Sequence, residues 1–132
     1  MSGEPRVFRG LRLPPGSAES LGDRGGEVFV ERVEQGGGPY DVHVFLNNPE
    51  AHAATERTAA HGYAGTIHVY GAGRPPGAPG HPVDRRLDIT AALKRAASRS
   101  DDLTVTLVPV VDGGRPSERT LEDADVSVSI RQ

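Results

Sequence analysis

Hydrophobic and polar positions alternate in short runs along this chain, and Gly and Pro clusters break the runs roughly every ten to twenty residues, the punctuation of strands joined by turns. Period-two alternation places successive side chains on opposite faces of a strand. The first candidate strand runs from Arg6 to Leu13 and stops at Pro14-Pro15-Gly16. The second, from Glu27 to Val33, lies between Gly25-Gly26 and Gly36-Gly37-Gly38. The third, from Tyr40 to Leu46, alternates best: Tyr40, Val42, Val44 and Leu46 share one face, with Asp41, His43 and Phe45 on the other. The fourth, from Tyr63 to Tyr70, sets Tyr63, Gly65, Ile67 and Val69 against Thr66, His68 and Tyr70.

Between these last two strands, Asn47-Asn48-Pro49 opens a polar loop that runs to about His61. The stretch from Gly71 to Gly80, with three prolines and four glycines, can join neither a ladder nor a helix and is expected to be a long exposed loop. Extended structure returns from Val83 to Ile89, and a short helix follows to Ala97. Asp88 or Thr90 can cap that helix, and Ile89, Leu93 and Ala96 or Ala97 make its apolar stripe. Leu103, Val105 and Leu107 line one face of a further strand that reaches Val110, Asp112-Gly113-Gly114 is a turn, and Val126, Val128 and Ile130 point inward from the last strand. The pattern is all-β: an antiparallel sandwich or Greek-key barrel of about seven strands with one short helix. At 132 residues it makes one domain over residues 1–132, with a core of its own.

Composition narrows the function. The net charge of −3 provides no electrostatic footprint for nucleic acid, and the arginines are scattered among acids. Few aromatic residues means little stacking of single-stranded bases, and the absence of Trp argues against a carbohydrate-binding face. With no Cys there is no disulfide framework, thiolate metal site or Cys nucleophile, which suits a reducing compartment. No opening stretch reads as a signal peptide and no apolar run is long enough to span a bilayer, so the expectation is a cytoplasmic chain without a membrane partner.

Four motifs in order resemble one family. Leu87-Asp88-Ile89-Thr90-Ala91-Ala92-Leu93, then Asp101-Asp102-Leu103-Thr104-Val105-Thr106-Leu107-Val108-Pro109, are similar to the C-terminal domain of plant polyphenol oxidases. Tyr40-Asp41-Val42 resembles the Phe-Asp-Val start of that domain, and Tyr63-Ala64-Gly65-Thr66 its Phe-Ala-Gly-Ser strand. Asp84-Arg85 and Asp88-Ile89-Thr90 resemble the matching domain of molluscan haemocyanin. The resemblance spans residues 40–130, with a looser likeness over 1–39. It implies a β-sandwich that packs over a dicopper site, one side chain filling the substrate pocket of the latent enzyme. Two departures stand out: two extra residues before Asn47, and a loop from Arg74 to Gly80 without counterpart.

The copper-binding domain of that family has no counterpart in this sequence. A type-3 dicopper centre takes six histidines from a helical bundle; this chain has five, none at helical spacing. The resemblance therefore implies a non-catalytic domain that covers the entrance of a type-3 copper oxidase in trans and assists its maturation. The side chains singled out for contact with that partner are Phe45, Leu46, Asn47, Asn48 and Tyr70, with Phe45 or Leu46 as the pocket-filling residue. No resident cofactor is expected, and His43 and His68 are the weak candidates for a transient copper, since imidazole suits Cu(II). The alternative is a stand-alone enzyme using the same sandwich for metabolite chemistry, with its pocket around His43, His68 and Tyr70. No Gly-x-Ser-x-Gly elbow or phosphate-cradling loop supports it. Purified protein is accordingly expected to hold less than one equivalent of copper or zinc by elemental analysis; a tightly held stoichiometric ion would overturn this reading of the histidines.

Overall fold

The computed structural model describes residues 5–12, 25–33, 40–69, 83–97, 102–111, 115–116, 121 and 124–130. Eight strands form among them: β1 (Arg6–Arg12), β2 (Gly26–Val33), β3 (Tyr40–Leu46), β4 (Tyr63–Val69), β5 (Val83–Asp88), β6 (Asp102–Val111), β7 (Arg115–Pro116) and β8 (Asp125–Ile130). A 3-10 turn (Ala59–His61) precedes β4, and the helix α1 (Thr90–Ala97) follows β5. All pairings are antiparallel, in two sheets. One has the order β1-β6-β3-β4, with β7 added to the end of β6; the other has the order β5-β2-β8. The all-β expectation holds, with the two-residue β7 as an addition.

The alternation in the sequence fixes what faces the space between the sheets. Tyr40, Val42, Val44 and Leu46 of β3, Leu103, Val105 and Leu107 of β6, Ile67 and Val69 of β4, and Val28, Val30 and Val33 of β2 form one buried cluster. Ile89, just before α1, and Leu93 and Ala96 of the helix close the cluster as the spacing predicts, joined by Ala92. The helix starts where Asp88 Oδ1 accepts from the Thr90 backbone N–H at 2.9 Å and from its hydroxyl at 2.6 Å. The Thr90 hydroxyl oxygen also accepts from Gly26 N–H at 3.0 Å, and Ile89 N–H donates to Gly26 O at 3.0 Å, so the helix entry is tied to the start of β2.

Three irregularities bend the strands. On β4, Gly65 pairs with Val44 and Tyr63 with Phe45, which leaves Ala64 as an extra residue. The bulge reverses the face of Tyr63: instead of joining Ile67 and Val69 in the core, it packs on the far side of the sheet with Phe45. Alternation could not reveal this, because a bulge restarts the period. On β1, the pairing shifts between Phe8 and Leu11, where Gly10 has φ of 72°. On β2, Arg32 holds φ of 59° while its N–H donates to Asp84 Oδ1 at 3.2 Å and its guanidinium lies 3.6 Å from Asp125.

The outer face of the four-stranded ladder, where solvent would be expected opposite a packed core, is covered instead. Phe45, Val108 and Val110 are buried there with Ala51, which the loop after β3 folds back over the sheet. The loop is anchored at both ends: Thr106 Oγ1 donates to Asn48 O at 2.9 Å, and Leu46 N–H donates to Gly62 O at 2.8 Å. Gly62 has φ of 82°, and a Cβ there would press on the Leu46 carbonyl. Gly65 has φ of 151°, and its Cβ would meet the flexible tip of Leu87 at 3.0 Å. In urea unfolding, Gly65→Ala is therefore expected to cost about 1–3 kcal/mol, the range for a strained backbone, and Gly62→Ala more, because a backbone carbonyl yields less than a side-chain tip. Equal midpoints for the two variants would refute the reading.

Candidate functional site

The residues singled out for partner contact lie at the end of β3, and the structure separates them into buried supports and an exposed tip. Phe45 is 0% exposed, against Val108 and Ala51 on the outer face, with the Tyr63 ring 5.7 Å away edge-on. Leu46 is 4% exposed and belongs to the core between the sheets. As folded, neither side chain projects from the domain. The physical reason is that loop residues 47–58 fold back over Phe45, while Leu46 continues the inward alternation of β3. Tyr70 lies outside the described residues, as does the loop from Gly71 to Gly80.

Asn47 and Asn48 are fixed by their own side chains. Asn47 has φ of 57°, a conformation its short amide tolerates. Its N–H donates to Thr104 O at 2.7 Å, and its Oδ1 accepts from Thr104 N–H at 2.9 Å, so one residue extends the β3–β6 ladder by a rung. Asn48 Nδ2 donates to His61 O at 2.8 Å and clamps the tip to the 3-10 turn. Both amides, expected to be offered to a partner, are spent largely within the chain. What the tip exposes is Asn47, Pro49 and Glu50, with Asn48 partly covered.

Beside this tip lies a groove of about 280 Å³. Asn47 and Asn48 form one wall, the 59–62 turn another, and Ala92, Arg95 and Ala96 of α1 the third, with Leu46 beneath. Nothing in the sequence pattern marked it, because it joins segments far apart in the chain, and four of its ten lining residues are alanines that carry no chemical signal. The His61 ring is held by a hydrogen bond of 2.9 Å between its Nδ1 and Thr58 Oγ1.

His43 and His68 do share a face of two paired strands. They are not directly opposite: His43 pairs with Thr66, and His68 with Asp41. His68 is exposed, and its Nδ1 lies 2.8 Å from Asp41 Oδ1. His43 is 3% exposed, edge-on to the Tyr63 ring at 6.2 Å, and its Nδ1 is buried without a hydrogen-bond partner. Tyr63 Oη is hydrogen-bonded to the Thr66 hydroxyl. Among the described residues no three His, Asp or Glu side chains converge on a point that would hold a metal ion. The described histidines therefore do not fit a type-3 copper centre. The groove is lined by neither His43 nor His68, so it is not the pocket the enzyme alternative requires.

No family model matches the sequence, and no curated protein is significantly similar to it. Solved structures are similar in fold. Latent aurone synthase (polyphenol oxidase) from natural source superposes with a TM-score of 0.61 at 17% identity, over 97% of this chain and 24% of that one. Latent apple tyrosinase gives a TM-score of 0.55 at 15% identity, over 99% of this chain and 26% of that one. The chain has the fold of a polyphenol oxidase β domain. It spans about a quarter of the length of these polyphenol oxidase structures.

The buried imidazole makes a pH signature. Desolvation, reinforced by the positive charge of Arg57, pushes the His43 pKa below 6.5, while Asp41 opposes the shift. The folded state thus favours neutral His43, whereas the unfolded chain takes up a proton near pH 6.5. The stability tied to this neutral ring is present above pH 6.5 and declines as pH falls from there toward the lowered value. Urea midpoints are expected to drop from pH 7.5 to pH 5.5, and to drop less in His43→Gln; an equal drop in both proteins would refute the assignment.

Proposed function

We propose that the chain is an accessory domain that docks on a tyrosinase-like type-3 copper oxidase and covers the entrance to its active site. One observation carries this reading. Nearly the whole chain matches a quarter of enzymes whose structures are described as latent, which is the proportion of a single β domain. Fold alone does not fix function, so the reading has to agree with the site. The tip after β3 agrees with it: a loop end held by five hydrogen bonds loses little freedom on docking, which favours association. Phe45 and Leu46 then serve as the packed base of the docking end. A part in maturation of the oxidase, with copper passing through His43 and His68 only in transit, belongs to the same proposal, as does a cytoplasmic location.

The experiment mixes the purified chain with a type-3 copper oxidase and follows phenol turnover and complex formation. Turnover is expected to fall saturably with added chain, together with a complex of defined stoichiometry. Exposed changes remote from the tip, such as Ser127→Ala on β8, are expected to leave binding within about twofold. Unchanged turnover, with no complex at micromolar concentrations of both proteins, would retire the accessory role.

A further inference from the structure

The loop after β3 is bonded more to itself than to the sheets. We propose that residues 47–62 form a lid that opens as a unit about Asn47 and Gly62 while both sheets stay folded, and that His43, on the face it covers, sets how often it opens. A compact surface loop whose ends meet and whose middle is packed on itself is the kind of segment that moves in one piece. Leu46 N–H donates to Gly62 O at 2.8 Å, which brings the ends together. Inside the loop, Ala51 N–H donates to Asn48 O at 3.2 Å, Thr55 N–H to His52 O at 3.0 Å and His61 N–H to Thr58 O at 3.1 Å. The Thr55 hydroxyl accepts from His52 N–H at 2.9 Å, and His52 Nδ1 accepts from Ala54 N–H at 3.1 Å. These bonds travel with the loop when it lifts.

The hold of the sheets on the middle of the loop is slight. Among the described residues it consists of the Thr106 hydroxyl donating to Asn48 O at 2.9 Å, Tyr63 N–H donating to Thr58 O at 3.1 Å, and the burial of Ala51 against Phe45, Val108 and Val110, with Ala53 partly buried beside it. At the two ends, Asn47 and Gly62 hold φ of 57° and 82°. Asparagine and glycine enter and leave that left-handed region more readily than other residues, which suits them to absorb a hinge rotation. The covered face adds a reason to open. His43 is 3% exposed there, with the Tyr63 ring edge-on and Arg57 of the loop close enough to oppose its protonation. Its Nδ1 has no partner within the protein, and a buried ring nitrogen in that state favours any arrangement that lets water reach it. Lifting the lid admits water to this face and leaves the packing between the sheets intact. The closed form dominates, and the open form is a minor excursion in which Phe45, Val108 and Val110 meet solvent.

The chain has no cysteine, so a single introduced thiol reports on its own site. Val105 and Val108 make a matched pair on β6: both are 0% exposed, Val105 between the sheets and Val108 on the face under the lid. Val105→Cys, Val108→Cys and Ala51→Cys are each prepared in the full chain and labelled with iodoacetamide in native buffer, without urea and at low urea. The Val108→Cys and Ala51→Cys thiols are expected to react at least about tenfold faster than the Val105→Cys thiol, within about threefold of each other, and with little acceleration by urea, as for an opening that exposes little surface. Adding His43→Phe, or His43→Leu where the larger ring disturbs packing, is expected to lower the ratio of Val108→Cys to Val105→Cys labelling by about fivefold or more, since the closed lid then hides no orphaned nitrogen. Taking the ratio within each background removes any change in global stability. Equal rates for Val105→Cys and Val108→Cys would mean that the outer face opens only on global unfolding and would overturn the lid. Fast labelling of Ala51→Cys alone would mean fraying of the loop and would overturn its motion as a unit. A ratio unchanged by both His43 variants would overturn the part assigned to the imidazole.

Discussion

Burial of β3 on both faces is the constraint on which the rest of the structure depends. One face, Tyr40, Val42, Val44 and Leu46, packs between the sheets; on the other, Phe45 is roofed by the loop that follows and His43 is buried edge-on to Tyr63. A strand flanked by β4 and β6 and covered above and below has no freedom to slide, because a shift by one residue would exchange two incompatible sets of side chains. The loop is therefore a structural layer as well as a connection. Its anchoring through Asn48 and Thr106 holds Ala51 over Phe45, and the same bonds shape the neighbouring groove.

The sheets were legible in the sequence because alternation and breakers act locally. The inward sets of β3 and β6 could be read residue by residue, and the helix stripe in outline, while the choice between Asp88 and Thr90 as cap was left to the structure, where Asp88 accepts from Thr90. Tyr63 was not legible, since one extra residue in β4 moves it to the opposite face with no mark in composition. The roof was missed for a related reason. A polar-looking loop contributes a single buried alanine, Ala51, and no periodic signal distinguishes that alanine from its exposed neighbour Ala54.

The end of β3 borders the groove, but Phe45 and Leu46 are apolar because they are core, and a large apolar residue before a turn looks the same whether it is buried or presented. The groove arises only when three separate segments meet, which no linear motif encodes. His43 is the residue whose chemistry is least explained by packing. A buried ring nitrogen without a partner costs free energy that an apolar side chain of similar size would not, and substitution by Phe or Leu would test whether the imidazole is retained for more than volume.

The bulges at the rim have a consequence for how such a domain stays separate from others of its kind. The outermost strands of the larger sheet, β1 and β4, are also those whose pairing is interrupted, near Gly10 and at Ala64. An uninterrupted outer strand offers a row of backbone donors and acceptors onto which another chain can add, the first step toward fibrous aggregation. A bulged one is twisted out of register with any straight newcomer. Straightening either edge, by deleting Ala64 or by restoring even pairing around Gly10, would turn a self-contained sandwich into a template for its own polymer.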